Sequence, residues 1–223
     1  MRSALPILMT LITSVWISAQ SGKSNETFGL FPSGDDFMAA AQYGYRSETN
    51  LELAQVHGHF PGMEGKITDC LPHTQSIGLA GPLMLAAMQG RTAHLNSKPM
   101  PEREDLVHVQ GALMVLVESY SLKKEDRAEI WLAQGTQEIR PVSEKLDAAK
   151  LISCNNVMAH GKQVHTAGSV WDVRQFYAFR FPPGTPQPDW TSPIRISVQK
   201  NGKEEKYETN FGDLLSRDAE KLH

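Results

Sequence analysis

The chain has 223 residues, of which 40% are hydrophobic, and a formal net charge of −3 at pH 7. A chain of this length can bury a full core and form one large domain, or one domain with a substantial extension. It has no long basic run and no basic amphipathic stretch, which argues against a nucleic-acid partner and against binding to a membrane surface.

The N-terminus has the order of a secretory signal peptide. Arg2 precedes an apolar run over residues 4–17, and small residues follow that run, among them Ala19 and Ser21. This pattern predicts that residues 1–21 are removed on export and that the mature protein is periplasmic or extracellular; a buried N-terminal helix is the alternative. No later apolar run is long enough to span a bilayer, so the mature chain is expected to lack an integral membrane segment.

Residues 22–105 are predicted to form a mixed α/β N-terminal extension. Ser33 and Asp36 have the spacing of a capping box, so a helix should begin there and end near Gly44. Short extended segments are expected between this helix and the next one, because turn-forming residues interrupt the chain there.

A second helix is predicted to begin at Pro82, a good first helical residue, and to end at Gly90. Its residues are apolar all round, which indicates that the helix is largely buried. The following segment contains Pro99 and Pro101 and has the composition of a linker, so a boundary is placed before residue 106.

Residues 106–212 are predicted to form a β-sandwich. Six strand candidates follow one another at short spacing between 106 and 211, without the helices that a parallel sheet requires. The expected fold class is therefore mainly β: an antiparallel immunoglobulin-like β-sandwich, followed by a C-terminal helix over 213–223. Within it, 107–117 should form a long strand with a bulge or bend at Gly111.

Two β-hairpins are expected within this domain. Asn201-Gly202 favours a two-residue type I′ turn, and Gly135 suits the tip of an earlier hairpin. The two-residue loop sets Ile196 opposite Tyr207. It also gathers one set of side chains on a single face, namely Ile194, Ile196, Val198, Tyr207 and Phe211.

Two cysteines, Cys70 and Cys154, occur in the chain. In an oxidising compartment an even number of cysteines favours pairing. A Cys70 to Cys154 disulfide would close a long loop and, in the chain-entropy model, constrain the unfolded chain by about 4 to 5 kcal/mol. The pairing is predicted from the compartment alone, and two buried free thiols are the alternative.

One segment groups residues that bind metals. His57 and His59 point to the same side of an extended chain, and Met63, Cys70 and His73 follow closely. Imidazole and thioether ligands together suit copper, and the gap between Cys70 and His73 occurs in many zinc sites. His57, His59, His73 and Met63 are thus a candidate copper or zinc site. Solvated or hydrogen-bonded histidines are the alternative, and a disulfide would remove Cys70 from the ligand set.

Other residues offer less specific signals. Trp190 lies in a rigid, proline-rich loop and is a candidate ligand contact, although such a residue also commonly closes the end of a sandwich. The chain carries no nucleophile elbow, zinc-protease helix, phosphate-binding glycine loop or Cys-x-x-Cys motif. Glu118 and Asp172 are interpreted as solvated strand ends rather than a catalytic pair.

The function expected from these features is that of an exported, non-enzymatic binding or interaction protein. Its partner would be another protein or a component of the cell envelope, bound through loops or a sheet edge, and no cofactor is expected for this role. The alternative is a periplasmic or secreted copper- or zinc-binding protein. A hydrolase that acts outside the cytoplasm is the third hypothesis.

Overall fold

The computed structural model describes residues 30–49, 51, 53–56, 69–70, 74–124, 127–159, 162–183, 188–189, 192–200 and 202–213. The predicted signal peptide at 1–21 lies outside the described residues, as does all of the predicted terminal helix after Asp213. No helix in the described part of the chain is long and apolar enough to cross a membrane.

The described residues are mainly β, as the sequence predicts, with a pair of packed helices. The helices are α1 (Gly34–Arg46), α2 (Pro82–Leu95) and α3 (Arg103–Leu106), and a 3-10 turn at Val107–Val109 follows α3. The strands are β1 (Ala54–Val56), β2 (Asp69–Cys70), β3 (Thr74–Ala80), β4 (Ala112–Ser121), β5 (Glu129–Gln134), β6 (Gln137–Ile139), β7 (Ser143–Leu146), β8 (Lys150–Ala159), β9 (Lys162–Arg180), β10 (Ile194–Lys200) and β11 (Lys203–Thr209).

The strands form two sheets. The larger sheet has the order β1-β3-β4-β9-β8-β2, with β7 paired to β9, and the smaller sheet has the order β11-β10-β5-β6. Neighbouring strands are antiparallel except for the short parallel pair of β2 and β8. Because β1, β2 and β3 precede residue 105, the predicted N-terminal extension contributes strands to the same sheet as the predicted sandwich.

Both sheets contribute to one hydrophobic core. Strand β4 alternates along its length, with Leu113, Val115 and Val117 fully buried and the residues between them only half-buried. This alternation turns one face of the larger sheet towards the apolar side chains of the smaller sheet. The core cluster includes Ile77, Leu79, Leu113, Val115, Val117, Tyr177 and Phe179 from the larger sheet, and Ile130, Leu132, Ile194, Ile196, Val198 and Tyr207 from the smaller one.

The two predicted hairpins are confirmed. Strands β10 and β11 pair with Ile196 opposite Tyr207 and Lys200 opposite Lys203. Gly202 has φ of 75°, the left-handed conformation that the turn requires, while Asn201 lies outside the described residues. The predicted buried face is present, since Ile194, Ile196, Val198, Tyr207 and Phe211 are all buried. Gly135 likewise has a positive φ at the tip between β5 and β6.

The predicted start of α1 is confirmed, but the predicted ends of both long helices are wrong. Ser33 and Asp36 form the capping box. Helix α1 continues through Gly44 to Arg46, and α2 continues through Gly90 to Leu95. Both glycines lie where the helices touch, and a Cβ added to Gly44 would meet the backbone of Ala87 while one added to Gly90 would meet that of Ala41. They permit close helix contact and do not end helices.

The start of β4 also differs from the prediction. Residues 107–110 belong to the 3-10 turn and its end, and the strand begins at Ala112. The predicted bend at Gly111 is present, because its φ of 66° lies in the left-handed region. Gly111 donates from its N–H to Leu30 and accepts from the N–H of Phe181, at 2.7 and 2.8 Å. Its backbone therefore ties the strand entrance to both neighbouring segments.

Candidate functional site

The residues of the predicted metal site and ligand contact, His57, His59, Met63, His73 and Trp190, all lie outside the described residues. Among the residues that are described, no three His, Cys, Asp or Glu side chains are grouped so that they could hold a metal ion. The copper or zinc site and the contact at Trp190 therefore stay predictions.

The predicted disulfide would join two strands that are neighbours. Strand β2 contains Cys70 and pairs with β8, which contains the buried Cys154. No free cysteine occurs in the described part of the chain. The backbone thus places the two cysteine-bearing strands side by side. Their pairing stays a prediction, which the loss of about 2 Da from the intact mass under non-reducing conditions would test.

A pocket of about 570 Å³ opens beside the C-terminal half of α2. We call it the α2 pocket. Residues of α2 line one part of it, and the segment from Lys98 to Glu102, α3 and the 3-10 turn supply the rest of the lining. Its lining residues are Leu85, Met88, Gln89, Thr92, Ala93, Asn96, Lys98, Pro99, Met100, Pro101, Glu102, Asp105 and Val109.

The end of α2 builds this pocket by reversing the chain. Ser97 has φ of 54°, and the N–H groups of Ser97 and Lys98 donate to the carbonyls of His94 and Ala93, both at 2.9 Å. This pair of bonds is a Schellman motif, which ends a helix and turns the chain back along it. The Tyr45 hydroxyl holds the returning segment by donating to the carbonyl of Lys98 at 3.1 Å.

The polar side chains at the α2 pocket are largely engaged with their own surroundings. The hydroxyl of Thr92 donates to the carbonyl of Met88 at 2.7 Å, and the amide of Asn96 donates to the carbonyl of Thr92 at 2.8 Å. The Gln89 amide donates to Nε2 of His108. The rest of the lining consists of methionine, leucine, alanine, valine and proline side chains and of three charged residues, Lys98, Glu102 and Asp105.

A second feature lies on the opposite face of the larger sheet from its core. Register places Glu118 opposite Arg174 and Tyr120 opposite Asp172, and Ser76 reaches Glu118 from β3. We call these five residues the carboxyl cluster. The side chains of Asp172 and Glu118 are 11% and 26% exposed. The interpretation of these two residues as solvated strand ends is therefore wrong. Strands β4 and β9 bring the two carboxyl groups into one cluster, and both side chains are largely buried.

The charges in this cluster shift one another's proton affinities. Burial, and then the nearby Glu118 carboxylate, raise the pKa of Asp172, although Arg174 and Lys150 oppose this. Burial and the Asp172 and Glu118 carboxylates raise the pKa of Tyr120. The hydrogen bond with Glu118 and its negative charge raise the pKa of Arg174, so its guanidinium stays charged. Asp172 is the group whose protonation this environment favours.

Neither the α2 pocket nor the carboxyl cluster was predicted from the sequence. The segment with Pro99 and Pro101 has the composition of a linker, and nothing local in the sequence shows that Ser97 folds this segment back onto α2. Likewise, Glu118 and Asp172 are far apart in the chain. No protein-family model matches this chain, and a search of the curated proteins finds no match either.

Proposed function

We propose that this protein is an exported, non-enzymatic binding protein that holds a small, mainly apolar molecule in the α2 pocket. The observation that carries the proposal is the pocket itself, with its volume of about 570 Å³ and its largely apolar lining. Small-molecule sites are typically clefts of about 300–1,000 Å³ that are lined by apolar side chains and a few polar groups.

The hydrogen bonds that hold the segment from Lys98 to Glu102 favour a preformed binding site. The Schellman motif at Ser97 fixes the returning segment at one end, and the bond from Tyr45 to Lys98 fixes it to α1. Pro99 and Pro101 restrict its backbone further. A ligand that enters a rigid pocket loses little free energy to the ordering of loops. More of the free energy gained by burying its apolar surface therefore appears as binding affinity.

The chemistry of the lining indicates the class of ligand. The thioethers of Met88 and Met100 adapt to irregular apolar shapes and contact aromatic rings favourably. Lys98, Glu102 and Asp105 also line the pocket, so both charge signs are present and a neutral ligand is expected. An uncharged aromatic or aliphatic compound of the envelope or extracellular space fits these requirements.

The proposal also includes an extracytoplasmic location and a two-sheet scaffold for the pocket. The signal-peptide pattern at residues 1–21 supports an extracytoplasmic location. We also propose that the two sheets form an immunoglobulin-like sandwich that serves as the scaffold, because their arrangement is compatible with that fold. In such scaffolds binding sites are carried by segments attached to a rigid core.

The test is a titration with 1-naphthol, observed through ¹³C-labelled methionine methyl groups. We expect saturable shifts of the Met88 and Met100 signals, whereas Met114, which lies on β4 and does not line the pocket, stays unchanged. Micromolar affinity corresponds to about 8 kcal/mol of binding free energy, which a pocket of this size can supply.

A pair of matched variants identifies the site. Thr92→Trp places an indole in the pocket and should abolish the shifts, because Thr92 lines it. Leu95→Trp alters the same helix at a side chain that is 65% exposed and does not line the pocket, so binding should persist. Equal binding by both variants, or no saturable shift in the wild type, would reject the α2 pocket as the binding site.

A further inference from the structure

The carboxyl cluster contains more negative charge than its one guanidinium can balance. Glu118 is well satisfied as a carboxylate, since Arg174 donates to its Oε1 at 2.7 and 3.0 Å and Ser76 donates to its Oε2 at 3.0 Å. Charge-assisted bonds of this kind are the strong ones in proteins. Arg174 is thus committed mainly to Glu118.

Asp172 has a much poorer environment for a negative charge. Its Oδ2 lies 3.5 Å from Nη2 of Arg174, which is at the outer limit of a hydrogen bond. Its Oδ1 is buried and has no hydrogen-bond partner among the residues that the structure describes. A buried carboxylate oxygen without a partner is costly, and protonation is the usual way to remove the cost. A protonated Asp172 can also donate to Glu118, which an ionised one cannot do.

The other groups that face Asp172 do not remove this imbalance. Lys150 stands opposite it on β8 and favours its ionised form, but this side chain is exposed to solvent. Asp147, in the connection between β7 and β8, acts on the same Arg174 and adds a further negative charge. Tyr120, opposite Asp172 on β4, is a neutral phenol in the same environment.

We propose that Glu118 and Asp172 hold one proton between them and that this proton acts as a pH-sensitive clasp between β4 and β9. With the proton present, Asp172 donates a hydrogen bond to Glu118, and Arg174 pairs with the Glu118 carboxylate. When the proton leaves, two carboxylates face a single guanidinium, and the contact between the strands weakens. The device is independent of the α2 pocket, which involves none of these residues.

The sign of the pH dependence follows from linkage. Burial and Glu118 raise the pKa of Asp172 in the folded protein above its ordinary value of 3.8. A carboxyl whose pKa is higher in the folded state stabilises the fold most below the unfolded-state pKa. That stabilisation is lost as pH rises from about 3.8 through the folded-state pKa of Asp172. The clasp is therefore closed at acidic pH and is released as pH rises through the folded-state pKa of Asp172.

The first experiment compares free energies of unfolding, measured in urea at several pH values, for the wild type and Asp172→Asn. Asparagine keeps the shape of the side chain but cannot ionise, so the wild type should lose stability relative to the variant as pH rises. Glu104→Gln is the matched control, because it removes an exposed carboxylate on α3, outside the carboxyl cluster; its curve should run parallel to that of the wild type. A constant difference between wild type and Asp172→Asn overturns the proposal.

The second experiment observes the proton directly and decides the question even if Asp172→Asn fails to fold. In an NMR titration of carboxyl-labelled wild type, the Asp172 carboxyl should titrate above an ordinary aspartate. In Glu118→Gln the pKa of Asp172 should fall, because the substitution removes the like charge and frees Arg174. An Asp172 that titrates at or below the ordinary value, or one that Glu118→Gln leaves unmoved, would show that no proton is shared.

Discussion

The core between the two sheets and the core between α1 and α2 are filled by side chains of different size. Among the described residues, the largest fully buried side chains are those of Tyr177, Phe179 and Phe211, and all three belong to the core cluster of the two sheets. The helix contact consists instead largely of alanines and glycines, among them Ala41 and Ala87. Sheets that pack face to face are about 10 Å apart and need large residues to fill the space.

The difference predicts opposite sensitivities. In the sheet core the stabilisation comes from apolar volume, so the removal of atoms leaves a cavity and is costly. In the helix contact it comes from the close approach of two backbones, so the addition of atoms forces the helices apart. A substitution that shrinks a side chain should therefore harm the first region more, and one that enlarges a residue should harm the second.

The largest expected effect is in the sheet core. Phe179→Ala should reduce the free energy of unfolding by about 3–5 kcal/mol, because the ring is fully buried and its removal leaves a cavity. Phe176→Ala is the matched control, since Phe176 lies on the same strand but its side chain is only half-buried on the opposite face. Urea denaturation measures both. Similar losses would mean that the space between the sheets is not the main core.

The next effect is in the helix contact. Gly90→Ala should lower the free energy of unfolding by about 1–3 kcal/mol, despite the better helix propensity of alanine, because its Cβ would overlap the carbonyl oxygen of Ala41. Gly34→Ala is the control within α1. There the three atoms nearest to the added Cβ all belong to the guanidinium of Arg103, a flexible group that can move aside. A Gly90→Ala protein as stable as Gly34→Ala would contradict close backbone packing.

The same two regions explain what the sequence could and could not predict. The hairpin of β10 and β11 was predicted to the residue, because the turn chemistry of Gly202 and the strand alternation both act locally. The capping box of Ser33 was predictable for the same reason. Gly44 and Gly90 were misinterpreted because a glycine that ends a helix and one that admits a second helix look alike until the partner helix is known.

The candidate sites were unpredictable for a related reason. The carboxyl cluster joins residues from β3, β4 and β9, and only the register of these strands makes Glu118 a neighbour of Asp172. The α2 pocket depends on the turn at Ser97, a residue type that rarely adopts a positive φ and so gives no signal of a reversal. Both sites arise from contacts between segments that are unremarkable on their own.

The smallest expected effect tests whether that turn is strained. Ser97→Gly should raise the free energy of unfolding by roughly 1 kcal/mol, because glycine adopts the left-handed conformation without the steric cost that a Cβ imposes. Ser47→Gly is the matched control at the end of α1. Ser47 is extended, with φ of −67° and ψ of 126°, so glycine there relieves no strain. It adds freedom to the unfolded chain and removes the hydroxyl that donates to the carbonyl of Thr49 at 3.0 Å, so it brings no gain. If both variants lose stability to the same degree, the side chain of Ser97 stabilises the fold by more than its left-handed conformation costs. The segment that follows α2 would then be held by side-chain contacts as well as by the helix end.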